Sequence, residues 1–293
     1  MTEEFFPPRR KSLVFNSLMA SVLVLLILAL LIAGSITQQN NLAILLLTAG
    51  ILLLVPLVVV VYRIFVIVST VYSLNRDALE IGWGLRRELL PIRQIDWVHP
   101  ITDFETPLPL GFVPFKSAYY GKKAVKGLGR PLFVATTPEE MVLIKQGDQY
   151  LIISPENAQE FSQRFNQLTQ MGSLTQVEAE SENLKMLWQR IWADPWSMFL
   201  LVASMVSLLL LFITALTISL VREQIVWVSM ELVPASRALL LAVIGSFFSL
   251  INAFVGLFFY LQDRVAANIR NLIWSWTVVV NLIFTLALII MAI

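Results

Sequence analysis

The chain has 293 residues, of which 57% are hydrophobic and 14% charged, well below the roughly 25% charged residues of a soluble domain. That balance excludes an ordinary soluble protein and implies a polytopic α-helical membrane protein, since a bilayer crossing needs about 20 apolar residues. The net charge of +1 leaves electrostatic partners to be read from local clusters only, and the absence of cysteine removes disulfides, thiolate metal sites and cysteine nucleophiles together.

Residues 1–65 read as an N-terminal tail and two transmembrane helices. The tail is short and ends Pro7-Pro8-Arg9-Arg10-Lys11. The apolar run Leu13–Ile36 exceeds the roughly 7–15-residue core of a signal peptide, and a second span follows at once, so it reads as a retained first helix. The second span starts near Leu42 after an uncharged turn and contains Pro56, which predicts a kink. One unbroken helix from Leu42 to Leu74 would be about 50 Å long against about 30 Å of hydrocarbon. The β-branched stretch Ile64–Leu74 is therefore expected to be a strand, with the helix ending near Arg63.

Residues 66–170 read as a β domain closed by a helix. Asn75-Arg76-Asp77 is a turn signal between that first strand and Ala78–Trp83; Leu85–Pro91 and Ile92–Val98 follow. The prolines of Pro100–Phe115 exclude helix and central strand, yet the segment carries Phe112 and Phe115. Such a loop either dips into the membrane interface or folds over its own domain. Strands are expected at Pro131–Ala135, Glu140–Lys145 and Gln149–Ile153, the last pair joined by a turn at Gly147-Asp148. Ser154 is the expected N-cap and Pro155 the first residue of an amphipathic helix with Ala158, Phe161, Phe165 and Leu168 on its apolar face.

Residues 171–195 read as a polar linker and a short amphipathic helix. Trp188, Trp192 and Trp196 recur on it every fourth residue, a spacing suited to the headgroup layer. Residues 196–293 hold three further spans. Gly245, Ser249 and Ala253 form a small-residue ridge on the fourth span, for internal packing or for self-association into a homo-oligomer; Asn252 and Asn281 are expected to make packing hydrogen bonds. Arg9, Arg10 and Lys11 before the first span, and Arg264 and Arg270 in the last loop, put the N-terminus and the β domain in the cytoplasm and the C-terminus outside.

Chemistry-bearing constellations are sparse. His99 is the single histidine, and no zinc, phosphate-loop or protease motif occurs, so no catalytic residue, metal or cofactor is expected and the chain reads as no enzyme. The strongest cluster is basic: Lys116, Lys122, Lys123, Lys126 and Arg130 with no acid among them and with Tyr119 and Tyr120 inside. It reads either as a solvated loop or as a site for anionic lipid or a partner. Nucleic acid is disfavoured, because residues 76–190 carry thirteen bases against fourteen acids.

Tyr72–Ile81, Gly84-Leu85-Arg86-Arg87-Glu88 and Leu90–Ile95 resemble the opening of bacterial pleckstrin-homology (PH) domains, and Leu151-Ile152-Ile153-Ser154-Pro155-Glu156 with its helix resembles their end. Tyr119–Gly121 and Phe133–Thr136 fit the middle, so the resemblance covers about Val68–Leu168. It implies a small bent antiparallel β-barrel capped by a C-terminal helix, inserted between two and three transmembrane helices of a multi-pass bacterial membrane protein. No phosphoinositide motif maps onto Lys122, Lys123 and Lys126, and the insertion at Pro100–Phe115 departs from the family pattern. The expected function is presentation of a cytoplasmic PH-like module for protein interaction or scaffolding, with anionic-lipid contact as an addition. The alternative is a small transporter or channel subunit regulated by that module.

Overall fold

The computed structural model describes residues 2–101, 119–125, 128–137, 140–175, 177–182, 189, 191–227, 231–261 and 267–292. They divide into two units, one of Met1–Ala20 with Val59–Met186 and one of Ser21–Val58 with Leu187–Ile293.

The first unit contains two five-stranded sheets. One has the order β1-β2-β3-β4-β10, from Glu3–Phe5, Val71–Leu74, Ala78–Trp83, Arg86–Pro91 and Glu180–Glu182. The other has the order β5-β8-β9-β7-β6, from Trp97–Pro100, Val142–Gln146, Gln149–Ile153, Leu132–Ala135 and Tyr119–Lys122. Alternation sets the faces: Leu79, Ile81 and Trp83 are buried on β3 while Glu80 and Gly82 are not. They join Tyr72, Val134, Ile144 and Ile153 in one core. A helix, α4 (Ala158–Met171), adds Phe161, Phe165 and Leu168 to it, the apolar face its periodicity predicts. A second cluster, with Phe133, Met141, Leu143 and Ile152, occupies the other face of the β7–β9–β8 sheet.

Several expectations need correction here. The sheets do not close into a barrel, and β7 pairs with β9 in parallel. The short polar tail also contributes a strand, Glu3–Phe5 pairing with Leu74–Tyr72. Part of the linker is likewise strand, Glu180–Glu182 pairing with Leu89–Arg87. The helix does not stop near Arg63: α3 runs from Leu54 to Ser69, and β2 begins at Val71. Its final turns belong to the first unit, where Val66 is part of the core, so packing in the module carries the helix past Arg63. Pro56 interrupts the second span as expected, dividing it at Leu53 into α2 (Asn40–Leu52) and α3. Proline has no N–H to offer the Leu52 carbonyl.

The cap of α4 is also displaced. Asn157 is the N-cap, its Oδ1 accepting from the Glu160 N–H at 3.0 Å. Ser154 is fully buried instead: its Oγ accepts from the Thr136 N–H at 2.8 Å and its own N–H donates to the Tyr72 hydroxyl at 3.3 Å. That hydroxyl in turn donates to the Val134 carbonyl at 2.7 Å. A buried hydroxyl must be satisfied, and here it joins both sheets rather than starting a helix.

Within the second unit, α1 (Arg10–Ile36) and α2 pack at Gly34, where an added Cβ would stand 2.8 Å from Leu47. Three long helices, α5 (Pro195–Val221), α6 (Ala238–Leu261) and α7 (Ala267–Ala292), pack on one another. Between α5 and α6 lies a hairpin of β11 (Gln224–Val226) and β12 (Leu232–Pro234). Asn40 joins these ends, donating to the Ser219 carbonyl at 2.8 Å and accepting from the Ser236 N–H at 3.0 Å. Among the described residues, five helices are long and apolar enough to cross a membrane.

Candidate functional site

The unclosed edge of the module leaves a cleft of about 1200 Å³ between the sheets. Its floor is Leu89, Leu90, Leu132, Ile144 and Leu151; its rim carries Arg86, Glu88, Asp96, Lys122, Asp148 and Glu180. Alternation explains the mixture, since neighbours on one strand point to opposite faces and only one face meets the core. Two turns shape the rim. The Gly147 N–H donates to Asp96 Oδ2 at 3.0 Å, and Gln146 Nε2 donates to Gln94 Oε1 at 3.0 Å. On β4, Glu88 is half-buried; burial pushes its carboxyl up, while the Ser181 hydroxyl donates to it at 2.8 Å from β10.

The basic cluster lies along the β6–β7 hairpin. Lys122 pairs with Leu132 in the register, Lys123 donates its N–H to the Pro131 carbonyl, and Val125 bridges to Gly129. Lys122 and Arg130 are exposed, and Lys123 Nζ sits 4.9 Å from the centre of the Tyr119 ring. Burial, together with the charge of Arg63, pulls the Lys123 ammonium down. The tyrosines turn inward. Tyr119 is 7% exposed against the Phe133 cluster, and the Tyr120 hydroxyl meets Thr70 Oγ1 at 2.9 Å. Burial pushes the Tyr120 phenol up to about 12. Lys116, Lys126, Phe112, Phe115 and Trp188 lie outside the described residues, as does Asp103. His99 is exposed on β5 with its ring 5.2 Å from that of Trp97, and it does not line the cleft that holds Asp96.

In the second unit Trp192 is 52% and Trp196 65% exposed, the latter at the start of α5, whose N-cap is Asp194. Asn281 is fully buried and donates to Ser207 Oγ at 3.3 Å and Ser249 Oγ at 3.0 Å, joining α7 to α5 and α6. Asn252 donates to Thr277 Oγ1 at 3.0 Å. Gly245 faces Leu211 and Asn281, whereas Ala253 is exposed, so the three-residue ridge is used for internal packing over two of its members.

A clasp unforeseen in the sequence borders the cleft. Asp77 Oδ1 accepts from the Leu174 N–H at 2.6 Å, the Thr175 N–H at 3.0 Å and the Ser173 hydroxyl at 2.9 Å; Oδ2 accepts from the Thr175 hydroxyl at 2.7 Å. Those bonds, led by the Thr175 N–H, hold its carboxyl far below the usual range. Arg76 donates to the Met171 and Gly172 carbonyls at 2.6 Å, and Arg93 to that of Ser173 at 3.2 Å. Asn75-Arg76-Asp77 signals a turn, and Asn75 Oδ1 does accept from the Asp77 and Ala78 N–H groups. Nothing local marks Asp77 for partners almost a hundred residues away.

No curated protein and no solved structure matches the chain. Both β1 and β10 lie outside the interval that a family model does match. Residues 70–169, about a third of the chain, match the family model of the bacterial PH domain, so this is a chain of apolar helices carrying a PH-like module.

Proposed function

We propose that the protein is a multi-pass membrane protein that uses its PH-like module to bind another protein, as a scaffold, and that it has no enzymatic activity of its own. The observation that carries this reading is the continuity of α3, which runs from an apolar span directly into the module and ends two residues before β2. A module joined to a membrane helix in this way has no need of lipid affinity for recruitment, so its cleft is free for a different ligand. The placement of arginine and lysine supports a cytoplasmic module. Anionic lipid is a secondary contact, carried by Lys122, Lys123 and Arg130 on the β6–β7 hairpin, each base near a charged leaflet contributing about 1 kcal/mol.

The test is a photo-crosslinking residue in place of Gln146, on the cleft rim, in native membranes. Reproducible crosslinks to a protein are expected; crosslinks to lipid alone would overturn the reading. Lys123→Glu with Arg130→Glu, neither of which lines the cleft, should lower co-purifying anionic lipid without changing those crosslinks.

A further inference from the structure

The cleft is bounded on one side by a strand that has little reason to be there. β10 is three residues, Glu180-Ser181-Glu182, from types that disfavour strands. Ala179 and Glu180 are exposed, and no apolar side chain of the strand reaches the core. It is tied to β4 through the ladder with Arg87–Leu89 and the Ser181 hydroxyl on Glu88. The other inserted strand, β1, is held differently: Phe5 packs edge-on against Phe161 at 5.1 Å, and Glu3 forms an ion pair with Arg164. The preceding segment is anchored independently by the Asp77 clasp at residues 173–175, so β10 can leave the sheet without releasing it.

We propose that the edge of β4 is a docking site for an extended acidic segment of a partner protein, and that β10 is the chain's own stand-in for it. This deepens, and rests on, the protein-interaction reading above. The bound strand itself describes the ligand. Main-chain groups pair with Arg87–Leu89, a small hydroxyl residue stands opposite Glu88 as Ser181 does, and acidic residues occupy the flanking register positions opposite Arg87 and Leu89. A replacing strand makes the same ladder and continues along the cleft, where apolar side chains at alternate positions meet Leu132 and Leu151. Because the site is already filled, β10 lowers the affinity for any partner by the fraction of molecules in which it is seated.

The full chain in detergent or nanodiscs supplies the test, with a fluorescent peptide Val-Glu-Ala-Glu-Ser-Glu-Asn, the sequence of residues 177–183, as probe. The chain lacks cysteine, so Glu88→Cys with Ser181→Cys makes a single bridge across a directly paired position and locks β10 in place. The oxidised form should bind the probe at least tenfold more weakly than the same protein reduced. Adjacent residues of a strand point their N–H groups to opposite sides, so Glu180→Pro with Ser181→Pro removes whichever one faces β4; this variant should bind the probe at least tenfold more tightly than the unmodified chain. Equal binding by the oxidised and reduced forms, or no gain in the proline variant with an unchanged melting profile, overturns the proposal. Redox-independent binding beside a retained Gln146 protein crosslink removes this inference and leaves the interaction reading; loss of both removes the two together.

Discussion

Gly84 joins the β3–β4 hairpin to the end of α3, and replacing it with alanine tests why that helix extends past Arg63. The residue sits at φ +57°, and its N–H donates to Ser69 Oγ at 2.7 Å. An L residue at such a φ costs about 1–2 kcal/mol. The added Cβ would stand 2.8 Å from Val66 Cγ2, an overpacking cost of about 1–3 kcal/mol. The lower entropy of alanine in the unfolded chain offsets about 0.4–1 kcal/mol of this. The net destabilisation is about 2–4 kcal/mol, equivalent to a loss of protection of roughly 30- to 700-fold. A chain of two units is a poor subject for a single unfolding free energy, so the measurement is hydrogen exchange at the β3 and β4 amides in the full chain. Gly147 is the control: its φ is +54°, and an added Cβ meets nothing within 4 Å. Gly147→Ala therefore carries the backbone cost alone, and Gly84→Ala should exceed it by roughly 5- to 140-fold. Val66→Ala in the Gly84→Ala background should recover most of that excess. Equal effects of the two glycine substitutions would refute the docking of the hairpin on α3.

Two further outcomes follow from buried and clasped polar groups. Asp77→Asn should raise proteolytic cutting and hydrogen exchange at residues 172–175 at neutral pH, because the folded state holds this carboxyl far below its usual range. A lowered folded pKa contributes stability above the unfolded value near 4 that is lost as pH falls through the folded one, so the clasp of the unmodified chain should loosen only in strong acid; loosening between pH 5 and 8 would contradict this. Asn281→Leu should weaken the α5–α6–α7 packing by about 1 kcal/mol, read as a lower midpoint in detergent-induced unfolding, since it removes the bonds to Ser207 and Ser249. An unchanged midpoint would mean those bonds do not hold the helices.

Local chemistry made much of this protein legible. Runs of apolar residues longer than a bilayer is thick stand out whatever surrounds them, and the alternation in Ala78–Trp83 or the 3.6-residue period of Ala158–Leu168 describes a face without reference to its partner. Phe161 and Phe165 were identifiable as core for that reason, and Gly147-Asp148 as a turn. The basic cluster was visible too, though not that its tyrosines turn inward while Lys122 and Arg130 turn out.

What only the tertiary structure decided depends on groups far apart in the chain. Glu3–Phe5 and Glu180–Glu182 have no strand signature; each becomes a strand because an edge of the same sheet offers it unpaired N–H and C=O groups. Ser154 would cap a helix in isolation, but once Tyr72 and Thr136 surround it, satisfying a buried hydroxyl outweighs the cap. The helix passes Arg63 because Val66 finds apolar contact in the module, a partner that the sequence of the span does not show. The cleft follows from two sheet edges that fail to meet, a relation between elements that no single segment encodes.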